Sequence, residues 1–145
     1  MDREILFRGI SKETKAMVYG AYFSLHHNDH RTHIHHFIIP ANTPIPKEKP
    51  IGEIQIEVDP ATVGQFTGLV DKNGVKIFEG DVVESPCGEI GVVEYFEEDA
   101  MFIIDFPITQ GHSSWTASFG DFDGEEMTVI GNIHDTPELA KEEAE

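Results

Sequence analysis

The chain has 145 residues, a single cysteine and a net charge of −17, with 27 acidic side chains against 10 basic ones. That length suits one ordinary domain or two small ones, and it lets the fold bury roughly two-thirds of its unfolded surface without covalent staples. One cysteine excludes an internal disulfide and any cysteine-based zinc site, and it fits a reducing compartment.

The charge is unevenly spread. Residues 1–50 carry 7 basic and 5 acidic groups, whereas residues 51–145 carry 3 basic and 22 acidic ones, a net of −19. Phosphate neutralisation drives most nucleic-acid affinity, so the second stretch repels DNA and RNA, and direct nucleic-acid binding is not expected. The charged start Met1-Asp2-Arg3-Glu4 lacks the apolar core of a signal peptide, and no apolar run is long enough to cross a bilayer. An intracellular protein with no membrane contact is the expectation.

In chain order, Ile5 to Arg8 reads as a short strand, and Ser11 to Lys15 as a polar turn. Met17 to Leu25, with Val18, Tyr19, Tyr22 and Phe23, reads as a second strand. Asn28-Asp29 supplies turn chemistry before a return strand over Thr32 to Ile39. The proline-rich stretch from Pro40 to Pro50 reads as an extended loop. Ile51 to Val58 alternates apolar and polar residues and predicts a half-buried strand. Asp59 and Pro60 then sit as the N-cap and first residue of one helical turn.

From Gln65 onward the pattern is a chain of hairpins. Asn73-Gly74 predicts a two-residue type I′ turn between Gln65–Val70 and Val75–Phe78. Further strands are expected at Val82-Val83, Ile90–Phe96, Met101–Phe106, Trp115–Phe119 and Met127–Ile133, with a charged helix from Pro137 to Glu145. Short strands at this spacing predict a small closed barrel or sandwich. The local pattern Glu79-Gly80-Asp81-Val82-Val83, followed by Gly91-Val92-Val93-Glu94-Tyr95, resembles the opening of SH3-like barrels. The expected fold on that resemblance is α+β but mostly β, with an N-terminal hairpin part over residues 1–58 packed with an SH3-like small β-barrel over 59–145.

Three segments carry a family resemblance. They are Arg3-Glu4-Ile5-Leu6-Phe7-Arg8 with Met17-Val18-Tyr19-Gly20; Val63 through Gly74, continuing as Ile77-Phe78-Glu79-Gly80-Asp81-Val82-Val83; and Val129-Ile130-Gly131-Asn132-Ile133 with Pro137-Glu138-Leu139. Across nearly the whole chain they resemble the YopX family of bacteriophages and prophages. The resemblance implies an α+β N-terminal part, an SH3-like C-terminal barrel and the cytoplasm of a bacterial host. It implies no catalytic residue. The central motif has a structural explanation, since its glycines suit tight turns and its aromatics suit a core.

The densest chemical signal is six histidines within residues 26–36. Imidazole binds zinc, nickel or copper, and a hairpin can bring His27, His30, His33 and His35 together as ligands. On a strand His33 and His35 share one face while His36 takes the other. No cofactor is expected otherwise. A second candidate surface gathers His112, Trp115, Phe119 and Phe122 with Asp121 and Asp123, because aromatic loop residues line peptide grooves in SH3-like barrels. The competing reading puts Trp115 and Phe119 in the core. Nucleophile elbows and phosphate-binding glycine loops are missing from the sequence, so enzymatic activity is not expected.

Three functions follow as expectations. The first is a non-catalytic binding module that contacts a host or phage protein and self-associates into a homo-oligomer. The second is a metal-binding protein, or a metal-dependent enzyme, built on the His26–His36 cluster. The third is an acidic DNA mimic that occupies a host protein.

Overall fold

Alternating side chains, β-branched and aromatic residues and tight turns give strands almost throughout the computed structural model. It describes residues 3–26, 33–44, 47–48, 50–106, 115–119 and 126–135. Among them no helix is long and apolar enough to cross a membrane. The chain divides into two units, residues 1–65 and 66–145.

The first unit holds β1 (Phe7–Ile10), β2 (Met17–His26), β3 (Ile34–Pro40) and the two-residue β4 (Ile56–Glu57). They form an antiparallel sheet in the order β4-β3-β2-β1, continued by the first residues of β5 (Gly64–Val70), where Arg8 faces Gly64. Ile38 and Val58 are fully buried and meet beside Gly9. Ser11, also buried, closes the β1–β2 turn by accepting the N–H groups of Glu13 and Thr14 at its hydroxyl. Gly20 is fixed by close approach, because a Cβ there would lie 1.9 Å from the Ile39 carbonyl oxygen.

In the second unit β5 continues into a ladder with β6 (Lys76–Phe78). A five-stranded antiparallel sheet follows, built from β7 (Asp81–Glu84), β8 (Ile90–Phe96), β9 (Met101–Phe106), β10 (Trp115–Ser118) and β11 (Thr128–Asn132). Its order is β10-β9-β8-β7-β11. One face supplies Val83, Val93, Ile104 and Phe106 to a core that also takes Ile77 and Met127. Burying side chains of this size contributes about 1.5–3 kcal/mol each, which is the main stabilising term.

Two buried carboxylates pin this unit. Asp71 Oδ1 accepts from the N–H groups of Asn73 (2.8 Å) and Val75 (2.9 Å), and Oδ2 accepts from Val129 N–H at 3.0 Å. One side chain thus holds the β5–β6 turn and fastens β11. Burial pushes this carboxyl up, but the three backbone donors outweigh it and hold the pKa below the ordinary aspartate value. Asp81, likewise buried, accepts the Phe78 N–H at 2.7 Å.

The structure departs from the sequence-based expectations at several points. The first strand runs from Phe7 rather than Ile5, because its ladder with β2 ends at the Phe7–Gly20 pair. The strand expected over Ile51–Val58 shrinks to Ile56–Glu57. Pro50 accepts the Glu53 N–H at 3.0 Å and turns Ile51–Glu53 into a 3-10 helix instead. A second 3-10 turn, Pro60–Thr62, forms as expected, with Asp59 capping Ala61 N–H at 3.1 Å.

No α-helix occurs among the described residues, so the α+β expectation reduces to a mostly-β fold; the tail helix over 137–145 lies outside those residues. Nor do the sheets close into a barrel: among the described residues β10 and β11 end the second sheet without pairing to each other. β10 and β11 follow one another in the chain, yet β11 takes β7 as its partner, from Thr128 opposite Glu84 to Asn132 opposite Asp81; strand spacing alone does not say which edges meet. The turn at Asn73-Gly74 is not type I′ either. Gly74 has φ +81°, while Asn73 is not among the residues with positive φ. The Gly74 N–H donates to the Asp71 carbonyl at 3.0 Å, which shifts the turn one residue toward Asp71.

Two predictions follow from these turns. Asp71→Ala strands three backbone donors, so it is expected to lower the unfolding free energy by about 2–3 kcal/mol in urea titrations. Because the folded pKa of Asp71 lies below its unfolded value, its contribution is complete above about pH 4 and fades as pH falls through the folded value. The loss in Asp71→Ala is therefore largest at neutral pH. Ala100 occupies the left-handed region at φ +51°, closing the β8–β9 turn through its N–H to the Glu97 carbonyl at 3.2 Å. Relief of that strain predicts that Ala100→Gly raises stability by roughly 0.5–1 kcal/mol, read as a higher melting temperature.

Candidate functional site

His26, His35 and His36 lie on β2 and β3, where Ser24 pairs with His36, Leu25 with His35 and His26 with Ile34. Strand alternation sends His35 to the face carrying Phe23 and Phe37, whose rings stack at 5.4 Å. The His35 ring also stacks on Phe37 at 6.3 Å. His36 takes the opposite face, where its ring lies 5.9 Å from Tyr22 and nearly parallel to it. Phe7 extends that row at 5.5 Å from Tyr22.

Both imidazoles are engaged within the sheet. His35 Nδ1 lies 3.0 Å from Glu57 Oε2, and Lys12 Nζ reaches the same oxygen at 3.1 Å. The hydrogen bond from His35 holds the Glu57 carboxyl below the ordinary glutamate range; burial opposes this and Lys12 reinforces it. On the other face His36 Nδ1 and Tyr22 Oη share a 2.6 Å hydrogen bond. A carboxylate at one nitrogen orients an imidazole, as carboxylates bonded to the far nitrogen of a ligating histidine do in metal sites. His33 precedes β3 and is exposed, while His27 and His30 lie outside the described residues. Among the described residues, no three His, Cys, Asp or Glu side chains are grouped so as to hold a metal ion.

The second candidate surface is only partly within view. Trp115 opens β10 opposite Phe106. Phe119 follows that strand and packs, half-buried, against the core of Ile77, Val83, Val93, Ile104, Phe106 and Met127. His112, Asp121, Phe122 and Asp123 lie outside the described residues.

The acidic character is concentrated in the second part of the chain. Residues 66–145 carry 19 acidic and 3 basic groups, a net of −16, against 8 acidic and 7 basic groups in residues 1–65, a net of −1. Glu94 on β8 and Asp105 on β9 share the face opposite the core, since Asp105 pairs with Val92 and Glu94 with Ile103. Partial burial, then repulsion from Asp105 and Glu79, pushes the Glu94 carboxyl above the ordinary glutamate value.

A ~480 Å³ groove in the first unit runs between the β1–β2 turn and the second 3-10 turn, lined by Ile10, Ser11, Lys12, Lys15, Asp59, Pro60 and Thr62. Thr62 Oγ1 accepts the Ile10 N–H at 2.8 Å and donates to the Asp59 carbonyl at 2.6 Å, so this hydroxyl is committed to the fold. Lys12 is likewise paired with Glu57.

Sequence reasoning missed Asp71, Asp81, Tyr22 and Glu57. The first could have been found, because an aspartate two residues before Asn73 matches an Asx turn. Glu57 gave no such signal, since its partners His35 and Lys12 are 22 and 45 residues away.

The raised Glu94 pKa yields a signed prediction. A raised pKa favours the folded state at acid pH, and that benefit is lost as pH rises through the folded value. Glu94→Gln is thus expected to unfold at a higher temperature than the parent at pH 7, with the difference vanishing below about pH 4.

Comparison with curated proteins gives no match. Among solved structures, protein EF1440 from Enterococcus faecalis is similar over 96% of this chain and 99% of its own, with 25% sequence identity and a TM-score of 0.56. That likeness extends into both units. A family model described as YopX protein matches residues 6–141. With nearly all of its length so matched, the chain belongs to the YopX family.

Proposed function

We propose that this protein is a non-catalytic binding module, encoded by a phage or prophage, that acts in the bacterial cytoplasm by contacting a basic protein of the host or the phage. The observation carrying this reading is the segregation of charge: −16 over residues 66–145 against −1 over residues 1–65. Within that acidic part Glu84, Glu89, Glu97, Glu98 and Asp99 are exposed. Such a field attracts cationic partners and accelerates their association. Its sharper form is a DNA mimic, in which carboxylates stand where phosphates would on the partner's usual ligand.

Capture from bacterial lysate tests the reading at low and high salt, about 0.05 M and about 0.5 M. A basic protein is expected to be retained at low salt, released at high salt, and lost with the variant Glu84→Gln/Glu94→Gln/Asp105→Asn. Recovery of no specific protein at either salt level would count against the proposal. Competition by duplex DNA for the captured protein separates the mimic from the simpler binding module.

A second reading is supported by the His35–Glu57 pair, which would orient one imidazole of a zinc site formed with His27, His30 and His33. Elemental analysis of untagged protein prepared without a nickel column distinguishes it: stoichiometric zinc is expected under this reading, and trace zinc under the first.

A further inference from the structure

The ladder between β1 and β2 stops at Gly20, whereas β2 continues to His26 in its pairing with β3. Among the described residues no strand pairs with Ala21–His26 on the side away from β3. This leaves a six-residue run of β2 with one open edge. Natural edge strands are guarded by brevity, lysine, proline or a bulge. The other edges follow that rule: β4 has two residues, β6 has three and carries Lys76, β10 has four, and β11 is interrupted by a bulge between Val129 and Gly131. Residues 21–26 of β2 have none of these guards.

Chemistry separates this edge from the rest of the surface as well. Met17–His26 contains no Asp, Glu, Lys or Arg in a chain of net charge −17. Two copies meeting elsewhere on residues 66–145 bring like charges together, while two meeting along β2 do not. Within the open run Leu25 is 51% exposed, an apolar side chain left to solvent beside the unpaired edge. An antiparallel pairing about a two-fold axis at Phe23 places Ala21 opposite Leu25 and Tyr22 opposite Ser24. Each face then presents neutral cross-strand pairs, the arrangement that stabilises a ladder.

We propose that the open edge of β2 pairs antiparallel with the same strand of a second copy of this chain, forming a two-fold dimer. The contact is isologous, so it closes on itself and does not propagate into a filament.

Light scattering after size exclusion, across about 1 µM to about 100 µM protein, tests the proposal. The mass is expected to rise with concentration from 16.2 kDa toward twice that value. Ser24→Lys/Leu25→Lys adds four charges along the paired edges and is expected to remain monomeric throughout. Its melting temperature, taken at the low end of the concentration range, is the check on folding. Hydrogen exchange of the parent supplies a measurement independent of any variant, with the Ala21–His26 amides slowing as concentration rises. A single 16.2 kDa species at every concentration would overturn the dimer. A dimer that persists in the folded double-lysine variant, or forms without added protection at Ala21–His26, would overturn this surface.

Discussion

The second unit depends on one carboxylate reaching three backbone N–H groups. Asp71 lies at the foot of the β5–β6 turn, yet one of its oxygens bonds Val129, 58 residues later. That link ties β11 to the β5–β6 turn in addition to its ladder with β7, which a bulge interrupts. The same neighbourhood is knitted further by the Lys72 N–H on the Met127 carbonyl at 3.0 Å, and Met127 is fully buried. An anionic group is favoured there because three converging donors form a local positive field that bulk water cannot supply inside the fold. In this acidic chain most of the described carboxylates stand exposed to solvent. Asp71 and Asp81 instead replace solvent.

The two kinds of acid explain the family-matching central segment. Its glycines permit the turns, but the aspartates choose among them. Gly74 and Gly80 both have positive φ, at +81° and +91°, and each stands within three residues of a buried aspartate. A glycine-based reading of this motif identifies where the chain can turn and omits what holds it turned.

Local signals accounted for most strands, because period-two alternation and turn residues act over a few positions. Ile90–Phe96 and Met101–Phe106 lie where the alternation puts them. The Asp59–Pro60 cap was equally legible. Ile51–Val58 misled because its alternation is real, while Pro50 and its hydrogen bond to Glu53 override the first half. Barrel closure could not be read, since strand spacing does not say that β11 pairs with β7 and leaves its chain neighbour β10 unpaired with it. For the histidines the sequence supplied the cluster and their alternation on the strand. It could not supply Glu57 and Tyr22, which join the cluster only after β4 and β2 are laid beside β3. Imidazoles that look like a metal-binding set in one dimension are, at His35 and His36, also part of the sheet's own hydrogen bonding.

The turns at residues 71–75 and 85–89 are the same device used twice. In each, the first residue's N–H donates to the fifth carbonyl, the fourth residue is a left-handed glycine, and a side chain at the first position accepts a downstream N–H. Their tolerance of new sequence should nevertheless differ. The Ser85–Glu89 loop is a self-contained cap with exposed residues at Pro86, Cys87 and Gly88, so an epitope or a purification peptide can be spliced into it while the flanking strands stay in register. The Asp71–Val75 loop has the same outline but is anchored beyond itself through Val129, and a cassette inserted there would pull on a strand half the chain away.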